Sequence, residues 1–390
     1  MDNIQNHLYR YCVGCGLCRT LGKAEIMSDN DGFYHPITGD QKWLETICPA
    51  AGTQCKEMDA SSIWGRHKGV YRGWSNDIVV RRKASSGGVI SSVAIYLLEK
   101  KYVDSVIHIG SLYGHPTENQ ICFSTTKEEV LSRAGSRYSI SHSLEFMSEI
   151  DLSRKYCVIA KPCEIAALRN YIKKNIRLEK SFPYLLSFFC MGTPSRSAQR
   201  DLLKALNTTI ENCSELSYRG NGWPGMTIAT NKDGSSSKME YSQSWGRILG
   251  RDLMPACRFC VDGIGELADI SCGDAWYISN NKPDFSEREG RNLVFARTSK
   301  GKQLIEDMIK EGIINIEEYD NFNEELKIIQ KSQYQRRAFL KSRILGMKLL
   351  FKPHPHYENR LLVSYSKNEP FSSRMNSFLG TIKRGLKGKV

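Results

Sequence analysis

The segment Tyr156-CVIAKPCEIAALRNYIKKNIRLEKSFPYLLSFFCMGTPSRSAQRDLLKA-Leu206 contains two successive strand, loop and helix units. Tyr156 to Ala160 reads as a short apolar strand, Lys161-Pro162-Cys163 as its loop and Glu164 to Lys174 as a helix. Tyr184 to Phe189, Cys190 to Pro194 and Ser195 to Leu206 repeat the pattern. Such alternation predicts neighbouring parallel strands joined by right-handed crossovers. Ligands gather at the carboxyl ends of strands in sheets of this kind. Cys163 and Cys190 both fall at that end, so their side chains can meet across 26 intervening residues.

Upstream, from about 75 to 150, the pattern is again α/β. Val89, Val93, Tyr96 and Leu97 form one apolar helical face, with Ser85 or Ser86 as the expected cap, and Val103 to Ile109 reads as a strand. Residues 1–62 form a cysteine-rich, irregular module punctuated by Gly, Asp and Pro, which by size is expected to need metal to fold. Beyond residue 207 come glycine-rich turns, a Cys-x-x-Cys pair, a strand-like Ala268 to Ser271 and a basic extension from 331 to 390. The expected architecture is α/β within an α+β multidomain chain. A ferredoxin-like module over 1–62 precedes an α/β body over 75–150 and 151–330 with a partly parallel sheet, and the extension follows.

The 13 cysteines are too many, too unevenly spaced and odd in number for a secreted disulfide framework. Cys12, Cys15 and Cys18 form a Cys-x2-Cys-x2-Cys run, and Cys48-Pro49 supplies a fourth thiolate followed by proline. That pattern fits one 4Fe-4S cubane, with Gly14 and Gly16 letting the loop curl and its amides point at sulfur. Structural zinc also accepts four cysteines but usually uses two separated Cys-x2-Cys pairs. Cys55 is close enough in sequence to replace Cys48. Cys257 and Cys260 are a single pair, compatible with a redox dithiol or half a metal site. Cys163 and Cys190 would complete a second quartet, with Cys272 as the competing ligand, while Cys122, Cys157 and Cys213 are expected to pack as small hydrophobes.

Charge is concentrated at one end. Of the net +13, the segment from Lys331 to Val390 carries +12, with 14 Lys or Arg against Glu358 and Glu369. The rest is nearly neutral and lacks interleaved basic and aromatic patches, which argues against the alternative of a nucleic-acid-binding protein with a structural metal site. Phe371, Met375, Phe378, Leu379, Ile382 and Leu386 fall at helical spacing among Arg374, Lys383, Arg384, Lys387 and Lys389. This predicts a basic amphipathic helix that docks on an anionic membrane or an acidic protein outside the catalytic core, or else folds back onto the body. Met1 to Arg10 has no apolar leader pattern and no stretch approaches the roughly 18 apolar residues of a span. A cytoplasmic protein, able to lie peripherally on the inner membrane, is expected.

Taken in order, several motifs resemble the coenzyme F(420) hydrogenase/dehydrogenase beta-subunit family, which includes 7-hydroxymethyl chlorophyll reductase. They are the Cys12 to Cys18 run with Cys48-Pro49, Ser85-Ser86-Gly87-Gly88, Gly135-Ser136-Arg137-Tyr138, Lys161-Pro162-Cys163, Cys190-Met-Gly-Thr-Pro, Gly222-Trp223-Pro224-Gly225, and Cys257 to Asp274. The resemblance implies an iron-sulfur flavoprotein oxidoreductase with two 4Fe-4S clusters, the second on Cys163, Cys190, Cys257 and Cys260, and a flavin, normally FAD. Ser85, Ser86, Gly87 and Gly88 would approach the flavin at a helix N-terminus. Ser136, Arg137 and Tyr138 would add a phosphate partner and a stacking ring, and Lys161 would hydrogen-bond flavin or stabilise its anionic reduced form. A small organic substrate with ferredoxin or a deazaflavin coenzyme as redox partner is implied; an electron-transfer subunit of a larger complex is the alternative. The chain has Ala-Lys-Pro-Cys where members often have Gly-Thr-Pro-Cys, and substrate identity is not carried over.

Overall fold

The computed structural model describes residues 6–388. Its centre is an eight-stranded mixed sheet. Four strands run parallel in the order Ser105–Leu112, Tyr156–Ile159, Tyr184–Phe188 and Ile270–Asp274. His115–Ser124 adds antiparallel at one flank; Asn292–Ala296, Gly69–Ser75 and Ile314–Glu318 add antiparallel at the other.

Tyr156–Ile159 and Tyr184–Phe188, the central pair, are predominantly apolar because both faces are covered. Successive side chains point to opposite faces. Val106, Cys157 and Leu186 join the core under the helices Val89–Glu99 and Ser299–Lys310, while Ile107, Val158 and Leu185 join the core beneath Pro162–Lys174. The expected face Val89, Val93, Tyr96 and Leu97 is buried there. Its cap differs from expectation. Gly88, at φ +81°, is the N-cap, and the Asn292 side-chain oxygen accepts from Val89 N at 3.1 Å, while the Ser86 hydroxyl donates to Arg291 O. A residue in that left-handed conformation leads the chain into the helix with the serines already pointing elsewhere.

Residues 6–62 are more regular than expected. The helices Asn6–Arg10, Leu17–Thr20 and Gln41–Ile47 surround a hairpin of Ala24–Ser28 and Tyr34–Gly39, and Asp40 caps the third helix through Trp43 N. The segment is not packed on itself alone. Leu17 and Ile47 enter the core beneath Pro162–Lys174, and Tyr11, Phe33 and Met58 share another with Phe259, Val261, Leu340, Leu361 and Tyr365.

The C-terminal extension packs on the body. Its helices are Lys331–Ala338, Leu340–Leu349, Asn359–Ser366 and Phe371–Leu386. The last packs on Leu340–Leu349 through small residues: Thr381 and Gly385 are buried, and Gly346 faces Thr381 so closely that a Cβ there would lie 3.2 Å from the threonine Cβ. The apolar stripe points largely outward, with Phe371 68 %, Leu379 54 % and Leu386 73 % exposed. Lys389 lies outside the described residues.

A buried ionic network joins the three parts of the chain. Arg337, from the extension, donates to Glu266 at 2.8 Å, to Asp262 at 3.4 Å, and to the carbonyls of Val261 and Ile63 at 2.8 Å each. Glu266 also accepts from the backbone N–H groups of Asp59 and Arg66. Removing one partner of such a buried pair strands the other's charge, at a cost of about 3–5 kcal/mol. Arg337→Met should therefore lower unfolding free energy in urea by that order. A loss below about 1 kcal/mol, the range of an exposed pair, would show that the network does not secure the extension.

Candidate functional site

Register places the site. Cys157, Val158 and Ile159 pair with Tyr184, Leu185 and Leu186, so the first strand ends opposite Leu186 and the second runs two residues further, to Phe188. Ala160 N then donates to Leu186 O, and the Ser187 hydroxyl donates to Ala160 O at 2.9 Å. The chain leaving the first strand turns at Lys161 into the helix Pro162–Lys174, with Cys163 in its first turn. Cys190 lies just past the second strand, its N–H held by Gly263 O and its carbonyl by Gln333 and Arg336. Cys257 and Cys260 approach from a short helix, Pro255–Arg258, tied to the Cys190 loop by Met254 N donating to Thr193 O.

Cys163, Cys190, Cys257 and Cys260, from three separate segments, line one cavity together with Lys161. Thr193 N points at the Cys257 sulfur at 3.4 Å. Gly192, at φ +125°, permits that approach, since a Cβ there would lie 3.2 Å from Cys257 Cβ. Burial pushes the Cys190 thiol up to about 11 and Cys260 to about 12, and Cys163 well above the ordinary thiol value. Lys161 is nearly enclosed. Its ammonium is 3.1 Å from the fully buried Glu164 carboxylate and donates to Ser141 O. Burial opposes its charge, but Glu164 and the neighbouring sulfurs outweigh that, holding its pKa above the ordinary lysine value.

The first quartet is adjacent. Cys12, Cys15, Cys18 and Cys48 are close enough for charge on one to raise another, and burial raises all four thiols, Cys48 to about 12. Gly14 N points at the Cys12 sulfur at 3.4 Å, and the amides of Ala50 and Ala51 serve Cys48. Residues 142–145 hold the loop: His142 Nδ1 donates to Gly14 O at 2.8 Å, and Leu144 N donates to Cys15 O. Burial lowers the pKa of His142 to about 4, so the ring is neutral and its donor role is fixed. Val13, Pro49 and Ala50, beside cysteines of this quartet, line the cavity of the other. Among the described residues, no three metal-type side chains gather tightly enough to hold a single ion. Four thiols spaced around a cavity suit the corners of a cubane, and amides aimed at sulfur suit thiolate ligation. Cys55 and Cys272 are buried in separate hydrophobic cores, and Cys122, Cys157 and Cys213 are buried.

The motifs expected to hold flavin are largely committed to the protein. Arg137 gives four of its five donors away, to Asn119 and to the carbonyls of Leu216, Pro116 and Glu118. A free phosphate partner was expected there; the side chain instead ties the Ser136 loop to the neighbouring strands. Tyr138 packs tilted against Trp245 at 4.6 Å and edge-on to Tyr218 at 5.6 Å, so its ring is engaged internally. At Gly87 the crowding comes from backbone, as an added Cβ would lie 2.6 Å from Gly73 O and 2.8 Å from Asn292 N. Ser85 is different, because its buried hydroxyl has no partner among the described residues. Arg336, Tyr357 and Gln54 also line the cysteine cavity, Gln54 with an unpartnered side-chain oxygen. No spacing rule singles them out.

Comparison with known proteins identifies the family. Residues 70–148 match the family model for the N-terminal part of the coenzyme F420 hydrogenase/dehydrogenase beta subunit, and residues 153–321 match the model for its C-terminal part. The chain belongs to this family. It is 25 % identical over 309 residues to the coenzyme F420 hydrogenase subunit beta of Methanococcus voltae, covering 75 % of this chain and 99 % of that one. It is also 25 % identical to the F420-dependent formate dehydrogenase subunit beta of Methanocaldococcus jannaschii, over 63 % of this chain and 60 % of that one. A chain of the xenon-derivatised F420-reducing [NiFe] hydrogenase complex of Methanosarcina barkeri superposes with TM-score 0.56 at 20 % identity, covering 75 % of this chain and 96 % of that one, a likeness of fold. The family models stop at residue 321, so the extension that contributes Arg336 and Tyr357 to the cavity lies beyond them.

The crowding at Gly87 yields a direct expectation. Gly87→Ala should lower the thermal midpoint whether or not cofactor is present, at a cost of about 1–3 kcal/mol for overpacking. An unchanged midpoint would mean the loop yields, and would return this position to a ligand-binding role.

Proposed function

We propose that this family member is an iron-sulfur flavoprotein oxidoreductase whose two cysteine quartets hold 4Fe-4S clusters. The carrying observation is that Cys163, Cys190, Cys257 and Cys260 line one cavity whose wall includes residues of the Cys12 to Cys18 and Cys48 loops. That contiguity suits a relay of single electrons between the two sites. When bound, a flavin such as FAD would exchange electron pairs with a small organic substrate, while the clusters supply or remove electrons singly. Within this chain, Lys161 carries a fixed positive charge at the cavity, backed by Glu164, and favours anionic states beside it. Ser85 offers a hydroxyl with no partner among the described residues. Ser86, Gly87, Gly88, Arg137 and Tyr138 hold the surrounding loops in place.

Relatives are named as beta subunits of a hydrogenase and a formate dehydrogenase, which supports association with other redox subunits. Ferredoxin or a deazaflavin coenzyme remains the proposed soluble partner. No helix among the described residues is long and apolar enough to cross a membrane. The exposed Phe371, Leu379 and Leu386 beside Lys383 and Lys387 favour contact of this face with an anionic membrane or an acidic redox protein.

Anaerobically purified protein should contain about eight irons and eight sulfides per chain, four of each per cluster. Cys257→Ala with Cys260→Ala should remove about half of both and leave the rest. Stoichiometric zinc without iron after reconstitution would sink the cluster assignment. Iron unaffected by the double substitution would remove the second site. For the exposed face, Phe371→Ser with Leu379→Ser should abolish sedimentation with anionic liposomes at low salt. Absence of wild-type binding there, or binding indifferent to salt, would refute the membrane contact, because screening shortens charge attraction to about 8 Å at physiological ionic strength.

A further inference from the structure

Four arginines line a second cleft, of about 360 Å³: Arg258, Arg336, Arg343 and Arg384. Among the described residues, no carboxylate lines it. The arginines' hydrogen bonds go to neutral groups: Arg258 to Arg251 O, Arg336 to Cys190 O and Met191 O, Arg343 to Arg258 O, and Arg384 to the Thr381 hydroxyl. Asp252, beside the Leu253 wall, is engaged by the Ser195 hydroxyl. The Arg343 Nε is buried without a partner among the described residues. Burial, with Arg336 and Arg384 adding repulsion, lowers the pKa of Arg343 to about 10; burial and then Arg258 lower that of Arg384. Like charges converging in a partly desolvated cleft are unfavourable unless something negative completes them.

We propose that this cleft binds the phosphate or diphosphate group of a small organic molecule, with the Trp245 side of the cleft taking the remainder. Guanidinium forks match phosphate oxygens two at a time, and four of them can neutralise a diphosphate. The cleft lies within the usual range of small-molecule sites and has room beyond one phosphate. Three of the arginines come from residues 331–390, past the segment matched by the family models, so the site is a property of this chain's extension. Cys257 and Arg336 line both the cleft and the cysteine cavity, which would place the bound molecule against the second quartet. The binding itself stands whatever Cys257 ligates.

The full-length protein, with iron measured in parallel, should be titrated with pyrophosphate, adenosine diphosphate and inorganic phosphate by calorimetry and thermal shift. Saturable 1:1 binding of the first two, tighter than inorganic phosphate, is expected. Arg343→Gln and Arg384→Gln should each weaken it about tenfold or more, as loss of a charge-assisted hydrogen bond implies. Lys383→Gln, on the same helix outside the cleft, should not. Without ligand, Arg384→Gln should melt higher than wild type, because repulsion is relieved, which distinguishes lost binding from lost folding. No saturable pyrophosphate binding, or equal affinity in wild type and both arginine variants, would overturn the site. Pyrophosphate binding with adenosine diphosphate excluded would overturn the organic ligand.

Discussion

The rest of the structure depends on the buried ion network centred on Glu266, which is fully enclosed. One carboxylate oxygen accepts from the backbone of Asp59 and Arg66, and the other from Arg337, so a single side chain joins the N-terminal segment, the sheet body and the C-terminal extension. Gly65, at φ +70°, is part of the same constraint, since a Cβ there would fall 2.4 Å from the Glu266 carboxyl carbon. Arg297 spans the other side, donating to Trp64 O, Arg66 O and Ile264 O, and burial lowers its pKa to about 10. Ionic groups in such surroundings are stabilising only when every donor and acceptor is matched. Here the matching groups come from segments hundreds of residues apart, which makes the network a specification of how those segments assemble.

That assembly decides where the cysteines lie. Asp262 and Glu266 follow Cys260 closely, and Arg337 follows Arg336, which lines the cysteine cavity. The loop that carries two candidate ligands is therefore fixed by the interaction that docks the extension. The carboxyl ends of two parallel strands supply Cys163 and Cys190, and the N-terminal segment adds Tyr11 and Val13 to the lining. The cavity is thus lined by all three parts of the chain.

The parallel centre of the sheet was legible because two features agreed: apolar runs with strand length, and helices of the right period between them. The meeting of Cys163 with Cys190 followed from topology alone. Arg137 was not legible in the same way. A Gly-Ser-Arg-Tyr turn contains groups able to bind phosphate, but whether they are free depends on carbonyls of Pro116, Glu118 and Leu216 that no local pattern brings near. Helix capping failed for a similar reason, since the acceptor at Val89 comes from Asn292 across the sheet. The sequence left open whether the last helix docks outward or folds its stripe back, because charge and periodicity describe a helix without saying which face is covered. Thr381 makes the close contact with Gly346 and Gly385 is buried with it, while Phe371, Leu379 and Leu386 are left outside.

The same extension shows why net charge is a poor guide to partner. Of its arginines, Arg336, Arg337, Arg343 and Arg360 donate to backbone carbonyls elsewhere in the chain, acting as cross-links rather than as a free polycation. Their positive charge nevertheless remains where it can act on the site. Arg336 lowers the cost of charge on Cys260 and Cys190, and Lys161 does the same for Cys163. A four-thiolate cubane is a net anion, and its potential responds to nearby charge, hydrogen bonds and exposure. One cation at the strand end and another from the extension thus offset the charge that four buried sulfurs would bring. The positive excess that looks like a tail property in the sequence is, in the folded chain, partly a property of the cysteine cavity.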